Sequence, residues 1–82
     1  MKFKPSKGLV LFKNDDTVVG TPQGVVVSCG GLGDPQKEEK YDQGERILLR
    51  PATPYTKVFI DNEEYYITSQ RNILGKFEKD EV

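Results

Sequence analysis

"VFIDNEEYYITSQRNILGKFE", Val58 to Glu78, decides how this chain is read. Two runs rich in Val, Ile, Tyr and Phe flank Asp61-Asn62. Both turn residues tolerate the positive φ that a type I′ turn demands, so the segment reads as a two-residue hairpin. That loop length sets the register: Ile60 faces Glu63, Val58 faces Tyr65, and Thr56 faces Ile67. Paired residues share a face. One face carries Val58, Ile60, Tyr65 and Ile67 and is expected to line the core. The other carries Lys57, Phe59, Glu64, Tyr66 and Thr68 and is expected to be half covered by a neighbour. Beyond the hairpin, Ser69 can cap one helical turn over Ser69–Leu74 that Gly75 ends. Leu74 or Ile73 then plugs one end of the fold, and a last strand follows at Lys76–Glu78.

The same texture runs outward along the chain. Eight Gly and five Pro in 82 residues separate short segments of β-branched and aromatic residues. This is the signature of a small all-β barrel or sandwich. Strands are predicted at Leu9–Lys13, Gly24–Cys29, Glu45–Arg50, Lys57–Ile60 and Glu64–Thr68, with Lys2–Lys4 as an edge strand. No segment of eleven residues carries helical periodicity. Two connections exceed a normal hairpin loop: "NDDTVVGTPQ" over Asn14–Gln23 and "GGLGDPQKEEKYDQG" over Gly30–Gly44. In a compact β domain such loops are where function sits. The expected fold is one all-β domain over residues 1–82, a small, partly open β-barrel with short strands and two longer loops.

Composition excludes several function classes. Net charge is −1 with 30% charged residues, and the signs are mixed, unlike the clustered basic face that nucleic acid requires. Apolar runs such as Leu9–Phe12 and Val25–Val27 are far too short for a membrane-spanning helix. Met1-Lys2-Phe3-Lys4 lacks the apolar core of a signal peptide, so a cytoplasmic location is expected. Cys29 stands alone, which leaves no disulfide framework and no Cys-based metal site. It ends an apolar strand and is expected to pack as a small hydrophobe. There is no His. The acidic pairs Asp15-Asp16, Glu38-Glu39 and Glu63-Glu64 are neighbours in extended chain and point to opposite sides. Gly30-Gly31-Leu32-Gly33 precedes no helix, so it is no phosphate cradle. Neither catalysis nor a cofactor is expected.

At this point the chain resembles a known family. The tail from Val58 to Glu78, with Asp61-Asn62-Glu63-Glu64 and Asn72-Ile73-Leu74, is similar to the C-terminal hairpin and closing strand of GroES-type co-chaperonins. "MKFKPSKGLVLFK" resembles that family's opening, with Pro5 ahead of the strand Leu9-Val10-Leu11-Phe12-Lys13. "GVVVSCGGLG" over Gly24–Gly33 looks like its Gly-x-Val-x-x-Val-Gly-x-Gly strand and turn, and "GERILLRP" like the strand that follows. The resemblance implies a GroES-like barrel that assembles into a homo-oligomeric ring, a heptamer in the family. It implies a lid on an ATP-driven, GroEL-type chaperonin ring that assists protein folding, with the ATP bound by the partner. Phe3, Lys4 and Phe77 would lie at the subunit seam.

The chain also departs from the family pattern. The long mobile loop of the family is here only Asn14–Gln23, and its apolar docking triplet has its nearest equivalent in Thr17-Val18-Val19, followed by Gly20. The roof hairpin is cut down to the charged loop Asp34–Tyr41. Ten residues span at most about 33 Å, so an out-and-back loop projects roughly 15 Å, with Val18 and Val19 near its apex. Two buried valines supply roughly 3–4 kcal/mol gross, and ordering the loop costs a comparable amount at about 1–2 kcal/mol per residue. One loop binds barely at all; several on one ring bind well, because each docking raises the effective concentration of the rest. The trimmed loops equally suit a GroES-like barrel that has lost chaperonin binding and acts as a protein-interaction module, a viral one among them. The valine pair then folds back on its own barrel.

Overall fold

In the computed structural model, residues 3–15, 17, 20–31 and 41–77 are described. Six strands form one antiparallel sheet: β1 (Leu9–Asn14), β2 (Gln23–Cys29), β3 (Arg46–Leu49), β4 (Thr56–Ile60), β5 (Glu63–Ser69) and β6 (Ile73–Lys76). Their spatial order is β4-β5-β1-β2-β3-β6, so the sheet curls without closing, and β4 and β6 form its two edges. The fold is all-β, a compact, partly open barrel.

The hairpin is as the sequence reads it. Asp61 (φ 52°) and Asn62 (φ 66°) both take the left-handed conformation. Ile60 pairs with Glu63, Val58 with Tyr65 and Thr56 with Ile67. The face assignment holds only in part: Tyr65 is buried as expected, on the side where Leu11 of β1 is also buried. β1 pairs with β5 so that Val10 lies opposite Thr68 and Phe12 opposite Tyr66. Val10 and Phe12 belong to the main core, with Val26, Tyr41, Ile47, Leu49 and Ile73, and Tyr66 packs against it. The face of Tyr66 and Thr68 therefore turns inward at β5, and Thr68 is buried. Val58, Ile60 and Ile67, expected in the core, are half-buried on the opposite side. There Tyr65 is covered by the Lys13 ammonium, 5.0 Å from its ring centre. The main core is decided by the strand that β5 meets, not by the hairpin's own apolar pattern.

Other expectations are corrected at the ends of elements. Of the edge strand expected at Lys2–Lys4, Phe3 and Lys4 carry no strand, and Lys2 lies outside the described residues. Instead the segment Pro5–Gly8 is stitched against the end of β2: Gly8 N–H donates to the Gly31 carbonyl (2.8 Å) and Gly30 N–H to the Leu9 carbonyl (2.9 Å). Only glycine fits at residue 30, since a Cβ there would overlap the Ser6 carbonyl. The expected helical turn is a short 3-10 turn, Gln70–Asn72, capped by the Ser69 hydroxyl, and it ends at Ile73 rather than Gly75. The last strand accordingly starts at Ile73, ahead of the expected Lys76; its predicted end, Glu78, lies outside the described residues. Ile73 plugs the core while Leu74 is exposed. Tyr41, read as the end of a charged loop, is a core residue. Residues 32–40 lie outside the described ones. Cys29 is half-buried and packs against the core, close to its expected role.

Gln70 locks this end of the barrel. It is buried, and its Nε2 lies within hydrogen-bond distance of the carbonyls of Leu9 (3.2 Å), Gly30 (3.2 Å) and Gly31 (3.3 Å) and of Cys29 Sγ (3.1 Å). Its own N–H donates to the Gly8 carbonyl at 2.8 Å. One amide side chain thus gathers backbone acceptors from β1 and the end of β2 at one point, adding to the backbone bonds that the Leu9 and Gly31 carbonyls already accept.

Candidate functional site: the loop between β1 and β2

The loop between Asn14 and Gln23 leaves the sheet where β1 and β2 part. Its two arms stay together at the base, since Asp15 N–H donates to the Gln23 carbonyl (3.0 Å). Gly24 lets the arms close on the core: a Cβ there would lie 2.7 Å from the Phe12 ring and 2.9 Å from the Lys13 carbonyl.

The Asp15 carboxylate is the organising group. One oxygen accepts from the Thr17 N–H (3.0 Å) and the Thr17 hydroxyl (2.6 Å). The other pairs with Arg46 on β3 at 2.8 Å. The Arg46 guanidinium also donates to the Gln23 side-chain carbonyl (3.1 Å). The hydroxyl of Thr17 and the guanidinium of Arg46 favour the ionised form and hold the Asp15 carboxyl down at about 2. Both arms and β3 are thereby joined at one half-buried ion pair.

Of the residues assigned to chaperonin contact, Thr17 and Gly20 are exposed. Thr17 is turned back onto Asp15, and Gly20 takes φ +102°, a conformation that favours glycine. Val18 and Val19 lie outside the described residues. Beneath the loop a cavity of about 190 Å³ opens between Asn14 and Pro22, floored by Phe12 and Leu49 and rimmed by Tyr55. Of the assigned seam residues, Phe77 is exposed at the end of β6 and extends its pairing, donating its N–H to the Arg46 carbonyl (2.8 Å). Phe3 is half-buried and Lys4 exposed, ahead of β1. Two strands, β2 and β3, stand between β1 and β6 in the sheet.

Sequence reasoning missed Asp15, Gln23 and Arg46. An aspartate two residues before a threonine is a local turn signal. Arg46 gave none, because it reaches Asp15 across 31 positions of chain. No helix is long and apolar enough to cross a membrane, and no group of three or more His, Cys, Asp or Glu gathers as a metal site, among the described residues. No protein-family model matches this chain, and no curated protein matches it in sequence.

Proposed function

We propose that this protein is a co-chaperonin subunit, a non-enzymatic lid that caps an ATP-driven chaperonin ring in the cytoplasm and assists protein folding. The observation that carries this reading is the loop between β1 and β2, fastened at its base by Asp15 and Arg46 while Thr17 and Gly20 stay exposed. A fastened base lowers the ordering cost of docking, because fewer backbone torsions remain to be fixed at about 1–2 kcal/mol per residue. Thr17, Val18 and Val19 make the contact, with Gly20 as the pivot. Each loop binds weakly, and a ring of copies, a heptamer by family resemblance, supplies the avidity. Phe77 just after β6 of one copy, and Phe3 and Lys4 of the next, form the seam. Nucleotide is bound by the chaperonin and not by this chain.

The test mixes purified protein with a GroEL-type chaperonin and ATP and follows co-elution by size. Wild type is expected to travel with the chaperonin, and the double variant Val18→Asp/Val19→Asp to elute alone. A double variant that still travels with the chaperonin defeats the assignment of the loop.

A further inference from the structure

We propose that the outer edge of β4 docks a second copy of this chain, strand against strand, about a two-fold axis at Val58. The argument starts from the turn. In a two-residue hairpin the pair flanking the turn exchanges both of its hydrogen bonds, and pairs alternate from there. Ile60, Val58 and Thr56 therefore point their backbone groups at β5. Lys57 and Phe59 point theirs away from the sheet, and among the described residues β4 has no neighbour on that side. Phe59 is 69% exposed, the most of any large apolar residue described.

The geometry selects the occupant. Only an extended strand satisfies a row of alternating N–H and C=O groups. In an antiparallel self-pairing centred on Val58, Lys57 of one copy faces Phe59 of the other. Both such pairs are of the type that exchanges N–H···O=C bonds, so every outward group of Lys57 and Phe59 is used. On one face the Lys57 ammonium lies beside the partner's aromatic ring, a cation–π contact. On the other, Val58 meets Val58 of the partner subunit and Thr56 meets the partner's Ile60. The neighbouring registers are worse. Centring on Lys57 sets two ammoniums opposite each other, which is destabilising. Centring on Phe59 runs the partner strand onto Asp61, where the chain has already turned. A lone lysine is a common guard against edge pairing, but Lys57 is already paired with Glu64 at 3.1 Å. The strand has five residues, so the contact is small and of micromolar affinity or weaker, on the order of the smallest specific interfaces.

This contact lies at the opposite edge of the sheet from β6 and does not rest on the lid reading. Dimers form if the protein is a stand-alone module, and paired rings if it is a lid. The first test is cross-linking in a Cys29→Ala background under mild oxidation with diamide. Val58→Cys is expected to give a disulfide dimer within minutes, because directly opposed residues of this pair type have Cα atoms about 4.5 Å apart. Thr56→Cys and Ile60→Cys are expected to stay uncoupled. Equal coupling at all three positions, or none at Val58→Cys, overturns the proposal. The second test is Phe59→Pro, which removes an N–H that the subunit itself does not use and is tolerated at such an edge. With the circular dichroism of the wild type retained, it is expected to halve the particle mass at about 100 μM protein, and an unchanged mass overturns the proposal. The mass of Phe59→Pro separately tests the lid reading: a lone subunit removes the ring and leaves the Val58→Cys result standing.

Discussion

Asp15 shows how a single carboxylate sets the character of a loop. Its two oxygens hold Thr17 on one side and Arg46 on the other, so Thr17 is tied back to the base of the loop. The depressed carboxyl fixes the pH dependence. A group whose folded value lies near 2, below the ordinary 3.8, adds stability that is whole above about pH 4 and is lost as pH falls through about 2. Asp15→Asn removes that contribution. The urea midpoints of wild type and Asp15→Asn are therefore expected to differ at pH 5 and to converge towards pH 2, with the wild type falling more steeply. Parallel curves from pH 5 to pH 2 would remove Asp15 from the account. Arg46, the other half of the pair, was invisible in the sequence. An arginine at the start of a strand is usually solvated surface, and only the pairing of β2 with β3, with Val25 opposite Arg46, brings it to the base of the loop.

At the scale of elements the hairpin of β4 and β5 is the most legible part of the molecule, because turn chemistry and register are local. Asn62 holds φ 66°, which costs most residues about 1–2 kcal/mol and glycine nothing. Asn62→Ala is expected to lower unfolding free energy by about 1 kcal/mol, whereas Asn62→Gly leaves it within a few tenths, measured by urea denaturation. If both variants behave alike, the positive φ is not what the turn requires. What the hairpin does not carry is the identity of its inward face. Val58, Ile60 and Ile67 look like core by residue type, yet Phe12 meets Tyr66 and draws that side in. Likewise Tyr41 sits among charged residues in the sequence, and its burial depends on distant core partners from β1, β2, β3 and β6. The early start of β6 has the same origin, since Leu49 of β3 reaches Ile73 through an irregular step in register.

For the whole molecule, 82 residues in an open sheet leave little surplus. A domain of this size buries only about 60–65% of the surface its unfolded chain exposes, and both edges of the sheet lack a partner strand among the described residues. The association proposed through β4 or β6 would add stability by mass action, so the melting temperature is expected to rise by several degrees between about 5 and 500 μM protein. A melting temperature flat over that range would show a subunit that needs no companion. The all-β class and the six strands of the sheet were readable from punctuation and composition, while the further edge strand expected at Lys2–Lys4 was not found at Phe3 and Lys4. The positions of the two free edges were not, because strand order is a property of the closed-up sheet rather than of any segment.

The Gln70 clasp has a bearing on how the polypeptide is made. Its bond to the Leu9 carbonyl joins residues 61 positions apart, and β1 must wait for β5 to fill its second flank. Most of the chain has to leave the ribosome before the first strand is secured. Topologies of this sort fold in milliseconds to seconds, slowly for their size, and the nascent chain meanwhile presents Val10, Leu11 and Phe12 bare to whatever surrounds it.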